Sequence, residues 1–329
     1  MFHIEYQYEY CITHQQGVQN MIIPKRVISI DTPKIDLDML EEALDKLSFK
    51  ECSPAMEESW GFFFVDELEA MGPKLRRINP YAIMNLRHDR KKINKSRLSR
   101  AWNKEIREVE KKEKIVLDKA RRKELRDKVK HSLLKEIHAD DSYIKAVFNS
   151  LNNRLYLLIS EPATVEFFVD KLNRALEPQD IKLRYSADTI SPFLQDTLTQ
   201  WVATTESAVE QGFSVGDDMQ LKGAESSSAT LKHHNAESAE VREHLHADKD
   251  IHKVKLLTKI ADENEALVSM MLHANGVISQ IDLKPYCGEI VKSERENHTD
   301  VEAMKESEFL VWMNALAILV QKVLAIKTV

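Results

Sequence analysis

The chain has few of the residues that break regular structure or cross-link it. Its 329 residues include eight Gly, nine Pro and three Cys. Cys11, Cys52 and Cys287 lie far apart and form no CxxC pair. That spacing excludes a disulfide scaffold and a cysteine zinc site, and it points to a reducing compartment. No GxxxxGK(S/T) or GxGxxG string occurs, so ATPase and dinucleotide chemistry have no footing. No apolar run is clean enough to read as a membrane span. The best, Phe309 to Ile326, contains Asn314, Gln321 and Lys322 and predicts a buried C-terminal helix. Met1 to Thr13 alternates and carries Glu5 and Glu9, unlike a secretory leader. A cytoplasmic protein with no membrane partner is expected.

Base, by contrast, is plentiful in one place. From Lys74 to His138 there are 23 Lys or Arg and nine Asp or Glu, a net charge of +14 in 65 residues. The rest of the chain has 24 bases and 44 acids, a net of −20, so the whole-chain value of −6 conceals the split. A basic segment inside an acidic protein is an address for a polyanion, most often nucleic acid.

The same segment is built to be helical. No Gly or Pro lies between Pro80 and Pro162, and strong helix formers dominate. Leu98, Trp102, Ile106, Val109, Val116 and Ala120 recur at helical steps and predict one apolar stripe, with Glu113 inside it. Arg97, Arg100, Lys104, Arg107, Lys111 and Lys114 fall on the opposite face. A kink or a second helix is expected near Arg121 to Glu124, because Leu125, Val129, Leu133 and Ile137 point elsewhere. Two readings of the cationic ridge stand level: a solvated face with i,i+4 pairs, or a surface that contacts an anion. Balanced salt-bridge helices need no surplus of base.

Read in order, Phe2 to Ile12 predicts a strand, and Met21 to Ile30 an extended piece that Pro24 limits to an edge or bend. Asp36 to Leu47 predicts a helix with an acidic first turn. Phe49 to Val65 is turn-rich, then apolar, and Tyr81 to His88 predicts a strand. Tyr143 to Ser160 predicts a hairpin around Ser150-Leu151-Asn152-Asn153. Pro162 to Leu176 and Ser191 to Val202 predict helices opened by proline, with a short strand at Ile181 to Tyr185 between them. Gly212 to Asn235 reads as a loop or an irregular surface segment, and Ser238 to His246 as a short helix. Strands are expected at Lys253 to Ile260, Leu267 to Leu272 and Val277 to Leu283, the last two joined through Asn275-Gly276. Asp300 to Lys327 closes the chain as a helix. The class is α+β, with antiparallel hairpins and long helices. The parts are an N-terminal α/β stretch (1–92), a basic helical segment with its hairpin (93–160) and a C-terminal α/β stretch (161–329).

Metal chemistry finds little support. His233, His234, His244, His246 and His252 fit no HExxH or CxxC pattern. Asp140-Asp141 and Asp217-Asp218 could serve a two-metal nuclease, but turn and capping roles explain them better. No cofactor and no metal is expected. Phe309, Leu310, Trp312, Met313, Leu316, Leu319, Val320 and Val323 of the closing helix read equally as a dimer seam or as core.

The order of motifs resembles the recombination-associated protein RdgC family. The resemblance rests on Arg126-Asp127-Lys128-Val129-Lys130-His131-Ser132-Leu133-Leu134, then Leu198-Thr199-Gln200-Trp201-Val202, then Gln211-Gly212-Phe213. Val254 to Leu257 and the Asn275-Gly276 hairpin follow. Phe49, Cys52 and Ser59-Trp60-Gly61 echo the family's N-terminal region. It covers about Arg97 to Leu283. It implies a ring-shaped homodimer that encircles duplex DNA without sequence preference, sits on the nucleoid and restrains a RecA-type recombinase through shared DNA. Arg97, Arg100, Lys104, Arg107 and Lys111 are then the main phosphate contacts, Lys119, Arg122, Lys123 and Arg126 the next set, and Lys232 a secondary one beside His233-His234-Asn235. The chain departs from the family in its longer N-terminus, including Gln15 to Asn20, and in Lys135-Glu136-Ile137-His138, where the family is apolar and aromatic. A metal-dependent exonuclease and a protein-binding scaffold are the alternatives.

Overall fold

The computed structural model describes residues 25–63, 73–159, 161–185, 192–223, 227–261 and 263–326. The expected strand at Phe2 to Ile12 and the divergent Gln15 to Asn20 lie outside them. In chain order the elements are β1 (Arg26–Asp31), α1 (Leu37–Lys46), β2 (Glu58–Phe63), β3 (Leu75–Ile78), β4 (Tyr81–Arg90), α2 (Lys95–Glu113), α3 (Lys119–Lys135), β5 (Asp140–Asn149) and β6 (Arg154–Leu157). After these come α4 (Pro162–Leu176), α5 (Pro192–Ala203), α6 (Thr205–Glu210), β7 (Ser214–Lys222), β8 (Ser228–Leu231) and α7 (Ala239–His246). Last are β9 (Asp250–Lys259), β10 (Leu267–His273), β11 (Ile278–Asp282), α8 (Lys284–Asn297) and α9 (Val301–Leu324). The class is α+β, as expected.

The chain divides into two compact units. The arm unit comprises residues 33–153 and 168–183; the terminal unit comprises residues up to 32, 154–167 and 184 onward.

In the arm unit, β2, β3 and β5 all pair antiparallel with β4. Phe62, Leu86 and Ile144 sit side by side across β2, β4 and β5, and all are buried. Phe168 of α4 meets Phe62 edge-on at 6.2 Å. Asp36 caps α1, accepting the Asp38 and Met39 amides at 2.9 and 3.1 Å, a standard device for the unpaired N–H groups of a first turn.

In the terminal unit the sheet order is β6-β1-β11-β10-β9-β7-β8. One face is apolar, with Val254, Leu256, Met270, Leu272 and Ile278 buried. The closing helix α9 buries Trp312, Met313, Leu316, Leu319, Val320 and Val323. By length and composition it could cross a membrane, but these side chains are core. A dimer seam built from them is therefore corrected, although Phe309 and Leu310 are only half-buried. Arg295 of α8 ties to Glu308 of α9 through two nitrogens, which satisfies a buried carboxylate.

Several sequence expectations change. β1 is paired on both sides, by β6 and β11, so it is no edge strand; its paired stretch begins after Pro24. Ile181 to Tyr185 is not a strand. The Asn173 side chain takes both backbone groups of Leu183, donating at 3.0 Å and accepting at 2.7 Å, in place of a ladder partner. Gly212 to Asn235 holds β7 and β8 rather than a loop. Register shifts between Val215 and Met219 disrupt the alternation that would have marked the strand. Helix α8 was not expected, since Gly288 interrupts it and only Cys287 and Val291 are buried along it.

Lys91 fixes how the arm leaves its sheet. The residue is buried, and its ammonium donates to the carbonyls of Ser53, Pro54 and Leu134 at 3.0, 3.0 and 3.1 Å. Leu134 lies in the last turn of α3, where unpaired carbonyls favour a cation. Replacing Lys91 with Met should leave those carbonyls short of a donor and cost about 2 kcal/mol. Urea unfolding of the variant checks this; an unchanged midpoint would remove Lys91 from the account.

Candidate nucleic-acid interface

Helices α2 and α3 form an arm of two antiparallel rods. Asn94 caps α2, accepting the Ser96 and Arg97 amides at 2.9 and 3.3 Å. Asp118 caps α3 through the Arg121 amide at 2.8 Å. The break between the rods is Lys114 to Asp118, with Lys114 left-handed at φ 55°. It falls earlier than the Arg121 to Glu124 expected from the stripe. Val116 is therefore in the turn, 83% exposed, and neither it nor Ala120 belongs to the stripe of α2.

No residue of α2 is fully buried. Leu98, Trp102, Ile106 and Val109 are half-buried, as are Leu125 and Val129 of α3. The rods thus cover each other and little else, and polar bonds supply what packing does not. The Trp102 indole N–H donates to the Arg122 carbonyl at 3.0 Å. Glu110 accepts the Leu117 amide and the Arg122 guanidinium, both at 3.0 Å. Those two bonds, the Leu117 amide first, lower the Glu110 pKa. Arg121 pairs with Glu113 at 2.9 Å, which accounts for an acid inside the apolar stripe. At the root, Arg97 pairs with Glu136 at 2.6 Å, and Lys130 pairs with Glu57. The divergent corner Lys135 to His138 is thereby held against the start of α2.

The structure spreads the cations singled out by sequence into distinct groups. Arg97, Arg100, Lys104, Arg107, Lys111, Lys119, Lys123 and Arg126 are exposed, while Arg122 is half-buried against Glu110. Lys104 reaches Glu108 at 3.8 Å, and Arg126 lies 5.7 Å from the Trp102 ring centroid. Among the described residues, no carboxylate pairs with Arg107, Lys111, Lys119 or Lys123. Helical rise puts Arg100 and Lys111 about 16 Å apart along one face. Lys232 is exposed but belongs to the terminal unit, so the structure does not group it with the arm.

The acid pairs are engaged elsewhere. Lys255 bridges Asp217 and Asp218 at 3.3 and 3.5 Å, and His233 lies 3.5 Å from Asp217. Asp140 faces Lys92 at 3.6 Å, and Asp141 accepts the Tyr143 hydroxyl at 3.2 Å. Among the described residues, no three of His, Cys, Asp and Glu gather as metal ligands. Sequence reasoning missed Lys91 and Glu110, which tie the arm to its sheet and the two rods to each other. Each sits in a charged run where nothing marks it out from its neighbours.

Together these features define an α+β protein that presents a cationic two-helix arm. The family model described as "Putative exonuclease, RdgC" matches residues 26–327, and the chain belongs to the RdgC family. It is similar to the "Recombination-associated protein RdgC" of Pseudoalteromonas translucida (strain TAC 125), 24% identical over 206 residues. That match spans 61% of this chain and 64% of the relative, less than two thirds of its length. The family match reaches well beyond the Arg97 to Leu283 stretch that carries the resemblance in sequence.

Glu110→Ala should free the arm's tip and raise hydrogen exchange at the Leu117 amide. The wild type should show the same change in acid. A lowered carboxyl pKa stabilises above the unfolded value of about 4.5 and is lost as pH falls through the folded one. Equal exchange in variant and wild type at neutral pH would contradict this.

Proposed function

We propose that the chain binds duplex DNA without sequence preference, through the exposed cations of α2 and α3. The observation that carries the reading is the row Arg100, Lys104, Arg107 and Lys111, continued past the tip by Lys119 and Lys123. Side chains of this kind neutralise phosphates, which carry no sequence information. Arg107, Lys111, Lys119 and Lys123 have no carboxylate partner among the described residues and give up no ion pair on binding, whereas Lys104 must release Glu108.

The name of the recombination-associated relative supports a role in recombination; the wider role proposed is a nucleoid-associated, non-enzymatic protein that restrains RecA-type recombination by occupying the same DNA. A homodimer closed as a ring would hold a duplex at modest cost in direct contacts. The description carried by the family model keeps an exonuclease as the second reading. Against it, Lys255 already occupies Asp217 and Asp218.

Replacing Arg100, Lys104 and Arg107 with Ala should weaken binding to unrelated duplexes alike. The slope of log affinity against log salt should fall by up to about three units. Fluorescence anisotropy across a salt series measures both. A folded variant with wild-type affinity and slope would overturn the arm as the contact surface.

A further inference from the structure

The terminal unit's sheet has a second face. On the face away from Val254, Leu256 and Leu272, β7, β9, β10, β11 and β1 align two rows of side chains, of which Met271, His273 and Ser279 are themselves buried. Gln220, Lys253 and His273 face one another across β7, β9 and β10. One step along, Lys255, Met271, Ser279 and Arg26 do the same across β9, β10, β11 and β1. Lys222 is two residues from Gln220 on β7 and is exposed. The His252 and His273 rings meet edge-on at 6.3 Å.

The cations here are only partly matched by acids. Lys255 is neutralised by Asp217 and Asp218. Among the described residues, no carboxylate pairs with Arg26, Lys222 or Lys253. The acid facing Lys222 in register is Asp250, which accepts the Gln195 amide at 2.8 Å. The Arg26 Nε is buried with no partner among the described residues.

We propose that Arg26, Lys222 and Lys253, with His252 and His273 beside them, form a second phosphate-binding surface that strengthens in acid. Its ligand is the phosphodiester of a nucleic-acid strand. The proposal rests on the chain being a DNA binder, but it uses residues in a different unit from the arm.

Two histidines make the surface responsive. Burial, then the charges of Arg26, Lys253, His252 and Lys222, push His273 down to about 4. Its Nε2 sits 2.7 Å from the Ser279 hydroxyl. Burial, then Lys222 and Lys253, also lower His252. Both rings are therefore neutral at neutral pH and held so partly by their cationic neighbours. A phosphate among those cations cancels their repulsion and favours imidazolium. Binding then takes up a proton, and affinity must rise as pH falls.

The test uses the full chain and a labelled arbitrary duplex at pH 7.5 and 5.5. A one-unit rise in one histidine's pKa on binding gives up to about a tenfold gain in acid. Lys222→Ala with Lys253→Ala should abolish that gain, and so should His252→Gln. The arm triple variant should keep it on a weaker baseline. A second arm follows the His252 ring by NMR as inorganic phosphate is added. A shift with duplex and not with phosphate assigns the surface to a strand; a shift with phosphate alone identifies a free-anion seat and overturns the strand. If the lysine pair and His252→Gln retain the full acid gain, the surface is not a phosphate site. If no variant or wild type binds duplex while the phosphate shift persists, the DNA reading has failed and the anion chemistry has not.

Discussion

The structure of the arm depends on one buried ammonium. Lys91 directly follows β4 and has water on almost no side. Its three donors are taken by three carbonyls, two from the loop before β2 and one from the last turn of α3. A buried cation so satisfied is tolerable; an unsatisfied one is not. The geometry admits little freedom, so strand, loop and helix end are fixed together. Leu133 and Leu134, the only buried residues of α3, lie at this joint.

Beyond the joint the arm has no core of its own. Two helices that only half-bury each other gain little from apolar contact. Trp102, Glu110, Arg122 and Asp118 compensate with bonds that close the tip and register the two rods. This division of labour explains the composition. Acids are spent on internal pairing, at Glu110, Glu113 and Glu136, and most of the remaining bases point outward. Part of the +14 surplus is taken up by acids outside the segment, as Lys92 by Asp140 and Lys130 by Glu57, and the rest stays on the surface.

Much of this was legible in the chain. Helical periodicity, proline at α4 and α5 and the Asn-Gly turn placed those elements to within a few residues, because each signal is local. The misses share a physical cause. Asn173 replaces a strand partner for Leu183 through a side chain ten residues away, and periodicity carries no trace of that. The bulge in β7 breaks the two-residue period that would have identified it. Arg26, Lys222 and Lys253 come together only through sheet register, which no window of sequence contains. The cationic ridge was visible, but Arg122 on its inner side was not. That distinction depends on where the helix breaks, and Lys114 in a left-handed conformation moved the break.

The most direct test is binding of the full chain to two unrelated labelled duplexes across a salt series, with magnesium present and DNA length checked afterwards. The account predicts equal affinity for both. It also predicts a log–log slope steeper than about −4, corresponding to at least five phosphates engaged at −0.9 each, and DNA of unchanged length. Binding that ignores salt, or no binding at low salt, would contradict the arm as a DNA contact. Shortened DNA would contradict the non-enzymatic reading and establish the nuclease.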